Sequence, residues 1–127
     1  MIKRYLIFGG LVVIIVGTAF WFAKTKDSYP GLNLSEAVVE LTEEGFVPKE
    51  VTVLKGQSVT FKTSRGKIFW PASNLHPTHG IYPEFDPQEP VEPDQSWSFK
   101  FDKTGEWQYH DHLAPYYRGT IKVVPSK

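Results

Sequence analysis

The stretch Trp107–Val124, WQYHDHLAPYYRGTIKVV, decides the fold and holds two of the chain's four histidines. Trp107 and Tyr109 alternate with polar neighbours, and the stretch ends in Thr-Ile-Lys-Val-Val, which predicts a strand, a tight loop and a second strand. His110 and His112 are two residues apart, so an extended backbone presents both on one face, about 6.6 Å apart along the strand. The stretch therefore predicts a strand–loop–strand unit that displays two imidazoles.

The other two histidines, His76 and His79, lie about thirty residues upstream in the segment Pro71–Pro93. This segment contains six prolines, which excludes a regular central strand. A loop of this length in a small domain is typical of a functional or a disordered region. Its aromatic residues favour packing over disorder, so all the histidine is predicted to lie in two short ordered loops.

The whole-chain composition limits the class of protein. The 127 residues have room for one modest domain and an appendage, and the 14 basic and 14 acidic residues balance. That balance argues against the basic stripe of a nucleic-acid-binding protein. The chain has no cysteine, which excludes disulfides, thiolate metal ligands and thiol catalysis. Ten glycines, ten prolines and 15% aromatic residues suit short strands and turns.

The first 26 residues predict a membrane anchor. Tyr5–Ala23 is uncharged over nineteen residues, and as a helix it would span about 28 Å, close to the roughly 30 Å hydrocarbon core. The alternative is a cleaved signal peptide that would release a secreted protein. The long apolar run, and bulky Trp21 and Phe22 where a peptidase needs small side chains, favour an uncleaved segment.

The charges beside this segment predict its orientation. Lys3, Arg4 and the amino terminus precede it and Lys24 and Lys26 follow it, and the small excess of positive charge at the start favours an N-terminus inside the cell. We therefore expect a single-pass cell-membrane protein with an anchor at 1–26, a polar linker at 27–35 and an extracytoplasmic domain at 36–127.

Residues beyond the linker carry strand patterns and no convincing helical period. The turn signals Glu43–Gly45 and Lys55–Gln57 separate apolar–polar alternations. Seven or so short strands at close spacing predict an all-β sandwich or barrel. Besides the strand at Trp107, the expected strands are Ala37–Leu41, Val51–Leu54, Ser58–Lys62, Lys67–Trp70, Ser96–Phe101 and Thr120–Val124.

Three pieces of this domain, GFVPKEVTVLKGQSVTF (45–61), WSFKFDKTGEWQYH (97–110) and RGTIKVV (118–124), resemble the cupredoxin family of plastocyanin-like blue copper proteins. The likeness covers nearly all of residues 36–124. The resemblance implies a cupredoxin-like Greek-key β-sandwich of about eight strands. It also implies a copper site at one end, formed by a loop near His76–His79 and the loop that holds His110 and His112.

The residues that would ligate copper depart from the family pattern. The family's last loop carries Cys, His and Met before a Gly-x-Ile/Val strand. Counting back from Gly119, Asp111 stands in the Cys place, Ala114 in the His place and Tyr117 in the Met place. A blue, thiolate-ligated copper site is therefore excluded. His79, which begins His-Gly-Ile, matches the family's upstream histidine.

The histidines predict a metal site rebuilt from imidazoles. His79, His110 and His112 are the expected ligands, and His76 is a fourth ligand or a partner that orients another. Such a set suits Cu(II) first, Zn(II) second, with Fe or Ni as further options. The alternative is a degenerate cupredoxin without metal, in which Asp111 accepts hydrogen bonds from neighbouring histidines.

Nearby carboxylates are weaker candidates. Glu84 and Asp86 are available to fill an open metal position or to orient an imidazole. Asp111 points away from the histidines flanking it if the strand stays regular.

The leading functional hypothesis is a membrane-anchored copper-binding domain that handles copper or transfers electrons. Its expected partners are the membrane and a redox or copper-trafficking protein, and not a nucleic acid. One alternative is an enzyme whose open His-ligated metal activates water or dioxygen, with Glu84 or Asp111 as the base. Because no catalytic motif supports an enzyme, a non-enzymatic role is favoured. The other is a metal-free binding module.

Overall fold

The computed structural model describes residues 36–126, which form eight strands in two four-stranded sheets. The predicted anchor at 1–26 and linker at 27–35 lie outside the described residues. Within 36–126, no helix is long and apolar enough to cross a membrane. The strands are β1 (Ala37–Thr42), β2 (Gly45–Val47), β3 (Glu50–Leu54), β4 (Ser58–Thr63), β5 (Pro71–Ser73), β6 (Trp97–Lys100), β7 (Gly105–Asp111) and β8 (Ala114–Val124).

The two sheets have the strand orders β2-β1-β4-β6 and β3-β8-β7-β5. Each sheet contains one parallel pair, β1 with β4 and β3 with β8, and its other pairs are antiparallel. Every connection between β2 and β7 changes sheet, so the sheets are interwoven along the chain. The prediction of an all-β sandwich is confirmed.

An aromatic core fills the space between the sheets. Phe61 of β4 and Tyr109 of β7 are fully buried, with ring centroids 5.4 Å apart. Phe85, from the proline-rich segment, lies 5.4 Å from Phe61 and 5.5 Å from Tyr109. Burying each such ring contributes about 1.5–3 kcal/mol. The long segment is therefore packed into the core, as its aromatic residues predicted.

A predicted strand and a predicted turn differ from the structure. Lys67–Trp70 is not a strand, since only Phe69 makes an isolated bridge to Val91. A strand, β5, instead begins at Pro71, directly after the predicted segment, and it pairs with β7 alone at the edge of its sheet. An edge position suits Pro71, which has no N–H to donate to a neighbouring strand. The predicted turn Glu43–Gly45 also ends early, because Gly45 already pairs with Thr42 and begins β2.

The loop between β7 and β8 is shorter than predicted, because β8 begins at Ala114 and not at the expected Thr120. Only His112 and Leu113 separate the two strands, and the pairing shifts register between His110 and Asp111. A register shift of this kind bends a strand and re-aims its side chains. His110 therefore lies within the sheet, whereas His112 lies on the turn.

Candidate metal centre

All four histidines of the chain converge on one point. His110 comes from β7, His112 from the β7–β8 turn, and His76 and His79 from the segment between β5 and β6. One ring nitrogen from each lies within 4.8 Å of the corresponding nitrogens of the others. We call these four residues the histidine cluster.

His110 is the most buried member, with a relative exposure of 1%. Its Nδ1 lies 2.8 Å from the side-chain oxygen of Asn74, which can only accept, so Nδ1 carries the proton. Its Nε2 is then the free lone pair, and it faces His76 Nδ1 at 3.2 Å. Asn74 follows β5 directly and is held to β7 by its backbone N–H, which donates to the carbonyl oxygen of Gln108.

His79 is oriented by a carboxylate. Its Nδ1 donates to Asp86 Oδ2 at 2.6 Å, so Nε2 is directed at the cluster, 2.9 Å from His112 Nδ1. The indole Nε1 of Trp70 and the backbone N–H of Gln88 both donate to Asp86 Oδ1 at 2.8 Å. Burial alone would raise the pKa of Asp86, but these hydrogen bonds and the one from His79 outweigh it and lower that pKa. The carboxylate is thus held ionised and in place behind the imidazole.

His112 and His76 complete the cluster in different ways. The backbone N–H of His112 donates to the carbonyl oxygen of Trp70 at 2.7 Å, and the two rings pack with centroids 4.6 Å apart. His76 is exposed, and its ring lies 4.8 Å from that of His112 and 5.2 Å from that of His110. The ring nitrogens that face one another inside the cluster are Nδ1 of His76 and Nε2 of His110, and Nε2 of His79 and Nδ1 of His112.

The surroundings of His110 and His112 favour the neutral form of both rings. Burial lowers the pKa of His110 to about 4, and repulsion from Arg118 and from any proton on the other three histidines acts in the same direction. Burial also lowers the pKa of His112, and repulsion from a proton on His79 or His76 adds to this effect. A neutral imidazole is the form that ligates metals. These two rings are therefore ready to bind a cation at neutral pH.

The spacing of the nitrogens fits a single ion. A tetrahedral centre with metal–nitrogen bonds of about 2.0–2.1 Å separates its ligand nitrogens by about 3.3 Å. Two of the separations here are 2.9 Å and 3.2 Å, and all of them lie within 4.8 Å. Small side-chain rotations would close the wider pairs. That these four histidines ligate a metal stays a prediction, but their donor atoms are where such a site needs them.

The two weaker carboxylate candidates lie outside the cluster. Glu84 is exposed and pairs with Lys103 at 3.1 Å. Asp111 is buried, and its Oδ1 accepts the backbone N–H of Trp70 at 2.8 Å and that of Leu113 at 3.3 Å. Its Oδ2 lies 3.5 Å from a terminal guanidinium nitrogen of Arg65. Because Asp111 accepts hydrogen bonds from the backbone of Trp70 and Leu113, it shapes the turn that presents His112.

Three residues with roles near the cluster carried no sequence signal. Asn74, Trp70 and Arg65 each bond a side chain at or beside the centre. Asn74 and Trp70 flank β5, whose pairing with β7 places them. Trp70 ended the predicted strand Lys67–Trp70, but because β5 itself was not predicted, no pattern placed Trp70 or Asn74 beside the histidines.

Comparison with known proteins supports the fold through structure alone. No family model and no curated protein matches the chain. Among solved structures, an amicyanin variant in its reduced Cu(I) form at pH 4 is 21% identical, with a TM-score of 0.61 over 71% of this chain and 83% of that one. A purple cupredoxin from Nitrosopumilus maritimus is 14% identical, with a TM-score of 0.57 over 70% of this chain and all of that one.

A third match is a Cu-containing nitrite reductase from Thermus scotoductus SA-01, 18% identical with a TM-score of 0.58. It covers 72% of this chain but 23% of the much longer reductase chain. Identities this low establish the fold and not the chemistry. The expected resemblance is thus confirmed: residues 36–126 have the cupredoxin fold, with a cysteine-free histidine cluster formed by the β5–β6 segment, the end of β7 and the β7–β8 turn.

Proposed function

We propose that this domain binds one copper ion, as Cu(II), through the histidine cluster, in a non-blue site that serves copper handling or electron transfer. The cupredoxin fold supports this, since two of the matched structures are described as copper proteins. The stronger support comes from this chain's own residues.

The observation that carries the proposal is the pair of fixed acceptors behind two rings of the cluster, Asp86 behind His79 and Asn74 behind His110. His79 and His110 each donate their outer N–H to a fixed acceptor, and each turns its free nitrogen inward. Metal-ligating histidines are held in this way, with the outer N–H on a carboxylate or a carbonyl-type oxygen. Four nitrogens within 4.8 Å of one another, two of them so oriented, form a site prepared for a cation.

The donor types favour Cu(II) among the candidate ions. Imidazole suits copper, zinc, iron and nickel, whereas thiolate and thioether ligands select Cu(I). The chain has no cysteine, and Met1, its one methionine, lies outside the described residues. Zn(II) is the second choice, because tetrahedral imidazole sites also suit it. Bound copper would supply one-electron chemistry or a transferable cargo.

Copper handling is the role that the donor set supports better. A site without sulfur donors holds Cu(II) more readily than Cu(I), which disfavours rapid cycling between the two states. We place the domain outside the cytoplasm on its N-terminal anchor, where a redox or copper-trafficking protein could exchange with it. The reduction potential and the self-exchange rate of the copper-loaded protein separate the roles: a fast, reversible couple would favour electron transfer.

Metal analysis with electron paramagnetic resonance of the full chain tests the proposal. We expect one Cu(II) per chain and a non-blue signal with splitting from nitrogen ligands. His110→Ala should abolish that signal. If equilibrium dialysis at neutral pH shows no tight copper, the proposal is wrong, and a metal-free binding module becomes the better interpretation.

A further inference from the structure

The four histidines of the cluster are not held equally. His79 and His110 are buried, and each has its outer ring nitrogen fixed by an acceptor. His112 is partly buried, and it is secured by its backbone N–H and by packing against Trp70. These three therefore form a rigid platform.

His76 lacks each of these restraints. It is exposed, and the residues on both sides of it, Leu75 and Pro77, are exposed as well. Among residues 36–126, the His76 ring has one hydrogen-bond contact, from its inner Nδ1 to His110 Nε2, and its backbone makes no hydrogen bond. Nothing in the described domain fixes its outer Nε2.

The loop around His76 is tied down only at its two ends. The Ile81 N–H donates to the carbonyl oxygen of Asn74 at 2.8 Å, and the His79 N–H donates to that of Leu75 at 2.6 Å. His76 lies inside this small closed loop, and its side chain covers the solvent side of the cluster. Its ring can therefore turn outward without breaking a backbone contact or uncovering the core.

From this asymmetry we infer that the site has three fixed ligands, His79, His110 and His112, and one exchangeable ligand, His76, which opens the bound ion to an external donor. The inference rests on the proposed copper site and specifies how that site loads and unloads. His76 leaves with its lone pair, an imidazole or thiolate donor from an exchange partner takes the vacated position, and no electron is transferred. The population of the outward His76 conformer then sets the rate of exchange.

The test compares the full chain with His76→Ala, with Thr78→Ala as the control for a change in the same exposed loop. Each protein is loaded with one equivalent of Cu(II) and mixed with excess chelator, and copper transfer is followed by stopped-flow absorbance. If the outward conformer is populated at about 1–10%, His76→Ala should transfer copper about ten- to a hundredfold faster than the unaltered chain. Thr78→Ala should transfer it at the unaltered rate.

Electron paramagnetic resonance supplies a second readout. His76→Ala should still bind one Cu(II), with one fewer nitrogen ligand, and added imidazole should restore the original signal. Loss of Cu(II) binding as complete as in His110→Ala would overturn the inference, because His76 would then be a fixed ligand. An unchanged signal and transfer rate would also overturn it, because His76 would then not be a ligand. Failure of the unaltered chain to bind Cu(II) would instead remove the proposed function itself.

Discussion

The apolar core and the histidine cluster meet at neighbouring residues of β7, yet different forces hold them. Tyr109 is fully buried and packs against Phe46 at 4.7 Å and Phe61 at 5.4 Å. His110 is nearly as buried, but its contacts are an amide and other imidazoles. The core is complete without an ion, whereas the cluster consists of ring nitrogens that face one another at hydrogen-bonding distance. The comparison shows an apolar frame that carries a polar cluster, and the proposed copper site predicts that an ion stabilises the cluster without changing the frame.

Removing a central ring of the core should produce the largest change in stability. Phe61→Ala should lower the free energy of unfolding by about 3–5 kcal/mol, because it leaves a cavity where the ring contacted Trp97, Phe85 and Tyr109. Urea denaturation of the metal-free protein measures this. Ile68→Ala, at a side chain that is 44% exposed, is the control and should change stability by less than about 0.5 kcal/mol. Equal effects from both variants would mean that the core is not where the stability resides.

Copper binding should raise the free energy of unfolding by almost as much as Phe61→Ala lowers it. At free Cu(II) about a thousandfold above its dissociation constant, the free energy of unfolding should rise by about 4 kcal/mol if the unfolded chain does not bind. Thermal unfolding with and without Cu(II) measures the change. His110→Ala should remove most of this increment. If copper stabilised that variant equally, the cluster would not be the copper site.

Acid should weaken the metal-free protein through the cluster and not through the core. The folded pKa of His110 is about 4 against 6.5 for the ordinary side chain, so between these values the unfolded chain binds the extra proton. The contribution of neutral His110 to the free energy of unfolding is therefore fully present above about pH 6.5. It falls as the pH drops towards 4, by roughly 3 kcal/mol at most.

Urea titrations between pH 7 and 4 in the presence of a chelator measure this loss. The lowered pKa of His112 acts in the same direction. In His110→Gln the loss over this range should be smaller. An identical pH profile in that variant would show that another group is responsible.

The smallest change in free energy is expected in copper binding, on substitution of the carboxylate that orients His79. Asp86→Asn should weaken copper binding about ten- to a hundredfold, as changes to groups behind a ligating histidine commonly do. Glu84→Gln removes the same charge two residues away, where the side chain pairs with Lys103 in solvent, and should leave the affinity unchanged. Copper titrations against a competing chelator compare the two. A similar loss in both would indicate a general charge effect.

The parts of this fold that depend on local pattern were predictable. Ser58–Lys62 and Ser96–Phe101 alternate strictly, and they became β4 and β6 with apolar residues facing the core. β2 and β5 were missed because each has three residues and is defined by its pairing partner rather than by an alternation of its own. Strands so short carry too little periodicity to detect.

The candidate site divides in the same way. Counting histidines in two loops was enough to assemble the cluster's members, because the chain has no others. The hydrogen bonds that distinguish them were beyond the sequence. Asn74 meets His110 only because β5 pairs with β7, and Asp86 meets His79 across seven residues of an irregular segment. Such contacts depend on tertiary register, which local pattern does not encode.

The buried Asp111 has a consequence for how this site could be engineered. In the resemblance to blue copper proteins, it stands where a cysteine would be. Asp111→Cys alone would leave the Trp70 N–H without its acceptor and the Arg65 guanidinium without its buried counter-charge, at a cost of about 1–3 kcal/mol for each unpaired group. A thiolate centre built at this position would therefore need several coordinated replacements, and the first of them alone would destabilise the fold. The carboxylate of Asp111 thus makes position 111 a poor starting point for engineering a sulfur ligand into this domain.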